Sequence, residues 1–239
     1  MTSRSSPTLL ALDTATEACS VALLRDGVVR WRYEELGRGH GERVLEMVQS
    51  LLAEHGLRLA DLDALAVGRG PGGFTGVRLA VGVAQGLAFG AGLRVVGVSD
   101  LRAVAQQAFE REPAATHCLV CNDARMQEVY SASFLRDAAG LAQPDVAAGA
   151  AVERVCAPDA VSVPPRPGLL AAGRGLRAHA SLRERALQAG AVVLDDLLPS
   201  AEHIARLAAA DFAAGLAMAP AQLQPVYLRD RVAEPPSRS

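Results

Sequence analysis

The chain has 239 residues, half of them apolar and only 4% aromatic, with a net charge of −2 at neutral pH. That size and apolar share suit one large or two small domains around a substantial core, and the near-neutral balance excludes a stand-alone nucleic-acid binder working through a basic surface. All 24 basic residues are arginines, so a Walker-type lysine, a Schiff base and a kinase-type lysine are excluded as well.

In chain order, "TLLALDT" (8–14) predicts a buried strand, and "ACSVALLRDG" (18–27) alternates up to an Asp-Gly hairpin signal. "VVRWRYEE" (28–35) pairs back, which makes an antiparallel meander. The spacing of apolar residues over 40–56 predicts a helix with an unusually broad stripe. A buried strand over 62–68 leads through "GRGPGGFTGVR" (68–78) into an apolar helix over about 76–90. A strand over 93–99 and a helix over 100–110, with Asp100 as its cap, complete a βββαβαβα order. A second round opens with a strand over 116–123, continues as strand and turn over 124–140, and loosens between Gln143 and Pro167. Strands are expected over 168–175 and 191–196, with a helix between them over 179–190. Residues 200–217 read as an amphipathic helix capped by Ser200, and "PVYLR" as a short strand-like piece.

The expected organisation is a first subdomain over 1–105, a smaller second one over 106–232, a disordered tail over 233–239, and a 200–217 helix that packs back on the first subdomain. The first thirteen residues do not read as a signal peptide, because the apolar run is short and ends at Asp13. The most apolar helix, over 79–93, falls short of the roughly 18 residues a membrane span needs. A soluble cytoplasmic protein with no membrane partner is expected.

Cys118 and Cys121 form a CxxC inside a strand, where residues three apart point to opposite faces, so neither a redox pair nor a zinc pair is expected. No two of the five histidines lie three to five residues apart, and "GxSxG" is absent. No metal site and no catalytic residue are predicted. "NDARMQEVY" gathers Asp123, Arg125 and Glu128 at a strand-to-turn junction, where charges are more often solvated or paired than catalytic.

The glycine-rich turn satisfies G-x-G-x-x-G through Gly68, Gly70 and Gly73, between a strand and a helix. A dinucleotide fingerprint is disfavoured, because Pro71 removes an N–H and an acid at Asp100 comes later than the usual ~20 residues. An anion site at the helix start stays open, with Thr75 at the terminus and Arg69 and Arg78 as cations; so does a tight corner that lets strand and helix pack closely. Asp13-Thr14-Ala15-Thr16 resembles the hairpin that meets phosphate in actin-like ATPases, but those residues are also good turn formers. Gly82, Gly86 and Gly90 recur every four residues along an otherwise apolar helix. A bare row of that kind suits a buried core helix or a face that meets a partner chain.

Taken together, "LALDTATEACSVAL", "HGERVLEMV", "GRGPGGFTGVRLAVGVAQGLAFG", "DARMQEVY" and "PVYLR" resemble the TsaB (YeaZ) family, in order from about residue 9 to 232. The resemblance implies an α/β actin-like ATPase fold (ASKHA, ribonuclease H-like) of two subdomains, the second one reduced. It implies a non-catalytic paralogue of the TsaD subunit. With TsaD and the ATPase TsaE, such a protein serves the complex that makes N6-threonylcarbamoyladenosine in tRNAs reading ANN codons. TsaC makes the threonylcarbamoyl-adenylate donor. The implied partners are TsaD as a heterodimer, TsaE, tRNA through the complex, and a second copy when alone. No cofactor of its own is implied, though ATP or ADP is compatible with the complex interface.

The family's partner helices fall on 40–56 and 76–90, which puts His40, Val44, Met47, Val48, Leu51, Val77, Gly82, Gly86 and Phe89 on the expected interface. Asp13, Thr14, Arg69, Thr75 and Arg78 would lie near any anion or nucleotide. The catalytic paralogue's H-x-x-x-H metal pair is missing, since His40 is followed by Gly41-Glu42-Arg43-Val44. Gly73 stands where the family usually has Ser, which weakens a hydroxyl–phosphate contact there. The alternative is a self-sufficient actin-like nucleotide-dependent enzyme, an ATPase or small-molecule kinase using Asp13 and the Thr75 helix terminus.

Overall fold

A computed structural model describes residues 6–146 and 153–229. The 233–239 tail, expected to be disordered, lies outside the described residues. The chain is α/β, built on two mixed sheets.

β1 (Leu9–Asp13), β2 (Ala18–Arg25) and β3 (Val28–Glu35) form the antiparallel meander. Asp26 and Gly27 both adopt positive φ at the β2–β3 hairpin, as a tight hairpin turn requires. α1 (His40–Glu54), β4 (Ala64–Gly68), α2 (Phe74–Ala91) and β5 (Arg94–Val98) follow. β4 pairs parallel with both β1 and β5, so the sheet runs β3-β2-β1-β4-β5. Every residue of β1 and β4 is buried, the mark of strands covered on both faces. One face packs on α1 and α2 through Leu10, Leu12, Leu65 and Val67. The other, through Leu9, Ala11, Ala64 and Ala66, packs on α6 (Ala201–Ala213) with Ile204, Leu207 and Ala208. A helix from the far end of the chain thus completes the first unit.

The second sheet contains β6 (His117–Asp123), β7 (Val129–Arg136), β8 (Ala142–Pro144), β9 (Arg154–Cys156), β10 (Leu169–Ala172) and β11 (Val192–Leu194). Its order is β11-β10-β6-β7-β8, and β9 also pairs with β7. Short α4 (Gly175–Ala178) and α5 (Ala180–Gln188) connect β10 to β11. α3 (Asp100–Arg111) joins the two units and buries Leu101, Val104, Ala108 and Phe109 against β6, β7 and β10.

Several expectations need correction. In the second unit β8, β9 and β11 are three residues each. The boundary placed near residue 105 falls mid-helix in α3, as the reading of a helix over 100–110 implies. Ser99, not Asp100, caps α3, its hydroxyl accepting from the Arg102 amide at 3.2 Å. The last helix stops at Ala213, with Gly215 at φ 79° behind it. "PVYLR" forms no strand; its backbone is tied by Val226 N–H to the Arg69 carbonyl at 2.8 Å, and the side chains of Tyr227 and Arg229 add further contacts. α2 spans 18 residues, long and apolar enough to cross a membrane by length and composition. It nevertheless packs Val81, Ala84 and Ala88 into the core of the first unit.

All four cysteines are free. Cys118 and Cys121 sit in separate core clusters on opposite faces of the second sheet, and burial pushes both thiols up. Neither is placed to act as a nucleophile.

Candidate functional site: the glycine corner and the outer face of α2

The glycine-rich turn follows β4, where Gly68 lies against two carboxylates. A Cβ there would stand 2.5 Å from Asp13 Oδ1 and would also overlap Asp100 Oδ1. Both aspartates are wholly buried. Asp13 accepts from the Ala15 amide at 3.0 Å, and Asp100 accepts from the Gly70 amide. Burial raises the Asp13 carboxyl to about 6, against opposing hydrogen bonds from Ala15 and Asp100. Burial, and then the charge of Asp13, hold Asp100 well above the usual carboxylate range. Two adjacent carboxyls out of water disfavour double ionisation, so the pair as a whole holds on to a proton beyond the usual carboxylate range.

Beyond Gly68 the turn closes on the chain itself. The Gly73 amide, at the head of α2, donates to the Ala15 carbonyl at 2.7 Å. The Thr14 hydroxyl donates to the Gly76 carbonyl at 2.7 Å. A Cβ on Gly72 would stand 2.6 Å from the Ala15 carbonyl, and one on Gly76 would overlap the Thr14 carbonyl. These glycines admit the β1–β2 turn at backbone contact distance. Of the two sequence readings, the tight corner is the one this geometry fits.

A cleft of about 910 Å³ lies beside the corner. The β1–β2 turn, the starts of α1 and α2, the β6–β7 turn and the 226–229 segment enclose it. The five residues expected near an anion do not converge on it. Thr14 and Thr75 line the cleft, while Asp13 is sealed behind its wall. Arg69 opens onto a separate cavity of about 440 Å³, 3.8 Å from Glu153. Arg78 stands outside, its guanidinium carbon 3.6 Å from the Phe74 ring centroid and its Nε donating to the Tyr227 hydroxyl at 2.5 Å. The expected cluster does not form because Arg78 is held on Phe74 and Tyr227, and Arg69, just past β4, faces Glu153.

The "DARMQEVY" charges also divide. Arg125 pairs with Asp123 at 3.2 Å, but Glu128 pairs with Arg229 at 2.5 Å. Arg125, Met126 and Gln127 all adopt positive φ, and Arg229 braces them by donating to the Ala124 carbonyl at 3.0 Å. Nothing in the sequence linked Arg229 to this turn, and Tyr227 was legible only as part of a motif.

The residues of the expected partner surface divide by burial. Val44, Met47, Val48 and Leu51 are buried in this chain's own core, as is Val77 of α2. They cannot offer a surface, because the broad stripe of α1 is consumed by β2 and the neighbouring helix. His40 is partly exposed at the start of α1, where it lines the cleft. The outer side of α2 is different. A Cβ on Gly82, Gly86 or Gly90 would meet nothing within 4 Å, and Phe89 is 83% exposed. An i, i+4 row of absent side chains is a groove into which a ridge of another helix fits, and the exposed phenylalanine beside it has no cover among the described residues.

A family model described as "TsaD: tRNA N6-adenosine threonylcarbamoyltransferase" matches residues 33–236. The chain is 44% identical to the tRNA threonylcarbamoyladenosine biosynthesis protein TsaB of Escherichia coli K12, across 94% of this chain and 96% of that one. It is 40% identical to the Haemophilus influenzae protein of the same name, across 94% of each. Its fold is similar to that of YeaZ from Pseudomonas aeruginosa, with a TM-score of 0.82 and 45% identity over 93% of this chain and 100% of that one.

Proposed function

The chain belongs to the TsaB (YeaZ) family, and we propose that it serves tRNA threonylcarbamoyladenosine biosynthesis as the non-catalytic subunit that binds and orders a TsaD-type transferase. The single observation that carries this reading is the uncovered outer face of α2, with its glycine groove and exposed Phe89. Covering such a face asks for an interface of standard size, on the order of 1,600 Å². The β3-β2-β1-β4-β5 sheet with helices on both faces supports an actin-like, ribonuclease H-like first subdomain.

The absence of independent chemistry is supported by the glycine corner. Asp13, the residue an actin-like nucleotide enzyme would direct at a metal, is wholly buried and held against Asp100. The Thr14 hydroxyl and the Gly73 amide, just ahead of α2, are engaged with backbone. In this reading any ATP or ADP belongs to the assembled interface, TsaE and tRNA join the assembly, and the work is cytoplasmic.

The test is reconstitution. The transferase, the donor-forming enzyme and tRNA are assayed with and without this chain, and with Gly86→Leu. Modification should require the wild-type chain, and Gly86→Leu should neither co-elute with the TsaD-type subunit nor support activity. Magnesium-dependent ATP turnover by the lone chain, or full activity without it, overturns the proposal.

A further inference from the structure

We propose that Arg78 is a preset carboxylate anchor at the head of the α2 face, and that the TsaD-type subunit places an acidic side chain on it. This rests on the partner reading above and names the chemistry of one contact within it.

Phe74, Arg78, Gly82, Gly86 and Gly90 occupy one i, i+4 row of α2, so the groove begins at Arg78. The guanidinium carbon is 3.6 Å from the Phe74 centroid and 5.2 Å from that of Tyr227, and the two rings are 5.7 Å apart. Nε donates to the Tyr227 hydroxyl at 2.5 Å. Stacking on π faces leaves the in-plane Nη donors free, which is the arrangement that forks onto a carboxylate. Arg43, Arg102, Arg174 and Arg229 each hold a carboxylate of this chain. Arg78 has no such ion pair among the described residues.

The rings do more than stabilise the free chain. Phe74 is 43% exposed and Tyr227 46% exposed, so the stack stays at the surface with its charge uncompensated. An arginine already held in one rotamer gives up less freedom on binding, and stacked aromatic–arginine groups are the residues that most often dominate interfaces. The occupant must supply an acid. A second copy presents none from the matching helix, since α2 contains no Asp or Glu. A different chain, lying along the glycine row and carrying a carboxylate at its head, satisfies both features.

The experiment measures affinity between the full-length chain and the TsaD-type subunit by titration calorimetry at two salt concentrations. Arg78→Ala should weaken binding by about 30-fold or more while the lone chain stays folded, its thermal midpoint lowered by a few degrees at most. Arg78→Lys should fail to restore it, because an ammonium neither stacks nor forks. The deficit of both variants should shrink as salt rises. If Gly86→Leu abolishes binding but Arg78→Ala binds like wild type, the anchor is wrong and the face is right. Wild-type binding by both variants rejects the face together with the anchor. Loss of self-association by Arg78→Ala with heterodimer affinity intact assigns the contact to a second copy and overturns the proposal.

Discussion

Asp13, at the end of β1, and Asp100, in the first turn of α3, meet across Gly68 with no exposed surface on either. One element belongs to the central strand of the first unit and the other to the helix shared with the second. Their carboxyls therefore join the glycine corner to the seam.

A pH dependence follows from this pair. Both carboxyls titrate above their unfolded values in the folded chain, Asp13 at about 6 and Asp100 well above the usual carboxylate range. A raised folded value means the unfolded state releases protons first, so the pair's contribution is full below the ordinary carboxylate range and is lost as pH rises through 6 and beyond. Asp100→Asn mimics the protonated partner, since its amide can donate to Asp13 while its oxygen accepts from Gly70. Relative to wild type, this variant should gain stability as pH rises from 5 to 8.5. Parallel thermal-unfolding profiles for the two proteins would show that the carboxyls do not share a proton.

Glycines of one motif should respond oppositely to alanine. Gly76→Ala drives a methyl into the Thr14 carbonyl and should cost about 1–3 kcal/mol or more. Gly82→Ala meets open space on a helix and should stabilise the lone chain by up to about 1 kcal/mol. Urea midpoints decide; equal shifts for both would contradict the corner as described.

Val44→Asp separates core from surface. Val44 is wholly buried, so an unpaired carboxylate there should cost about 3 kcal/mol or more and leave the chain aggregated or largely unfolded. Phe89→Ser removes an exposed ring and should leave the fold intact while weakening the partner contact. A soluble, native-like Val44→Asp chain would return the α1 stripe to the list of partner surfaces.

Arg229 supplies a local prediction. Replacing it with Ala removes its bonds to Glu128 and the Ala124 carbonyl, and three consecutive residues at positive φ lose their brace. Amide exchange over 124–128 should accelerate, by an amount corresponding to about 1–3 kcal/mol. Unchanged protection there would mean the turn holds its shape unaided.

Much of the architecture is legible locally. The uninterrupted apolar runs of β1 and β4 announce strands covered on both faces, and Asp26-Gly27 announces its hairpin. The glycine corner is less legible, because the atoms that require Gly72 and Gly76 belong to Thr14 and Ala15. From the motif alone, a glycine cleared for a ligand and one cleared for distant backbone look the same. Likewise, a wide apolar stripe on α1 could meet a sheet or a partner, and only the position of β2 decides. The Asp13–Asp100 pair and the stack of Tyr227 on Arg78 join residues far apart in the chain, and no periodicity carries that information.

The return of α6 to the first sheet has a consequence for synthesis. Leu9, Ala11, Ala64 and Ala66 lie on a face that Ile204, Leu207 and their neighbours in α6 cover. On the ribosome, at about 5–20 residues per second, that greasy face waits many seconds for its lid to emerge. Early termination anywhere before α6 leaves a bare sheet, so truncated products of this gene should be clients for chaperones and proteases and not stable N-terminal fragments.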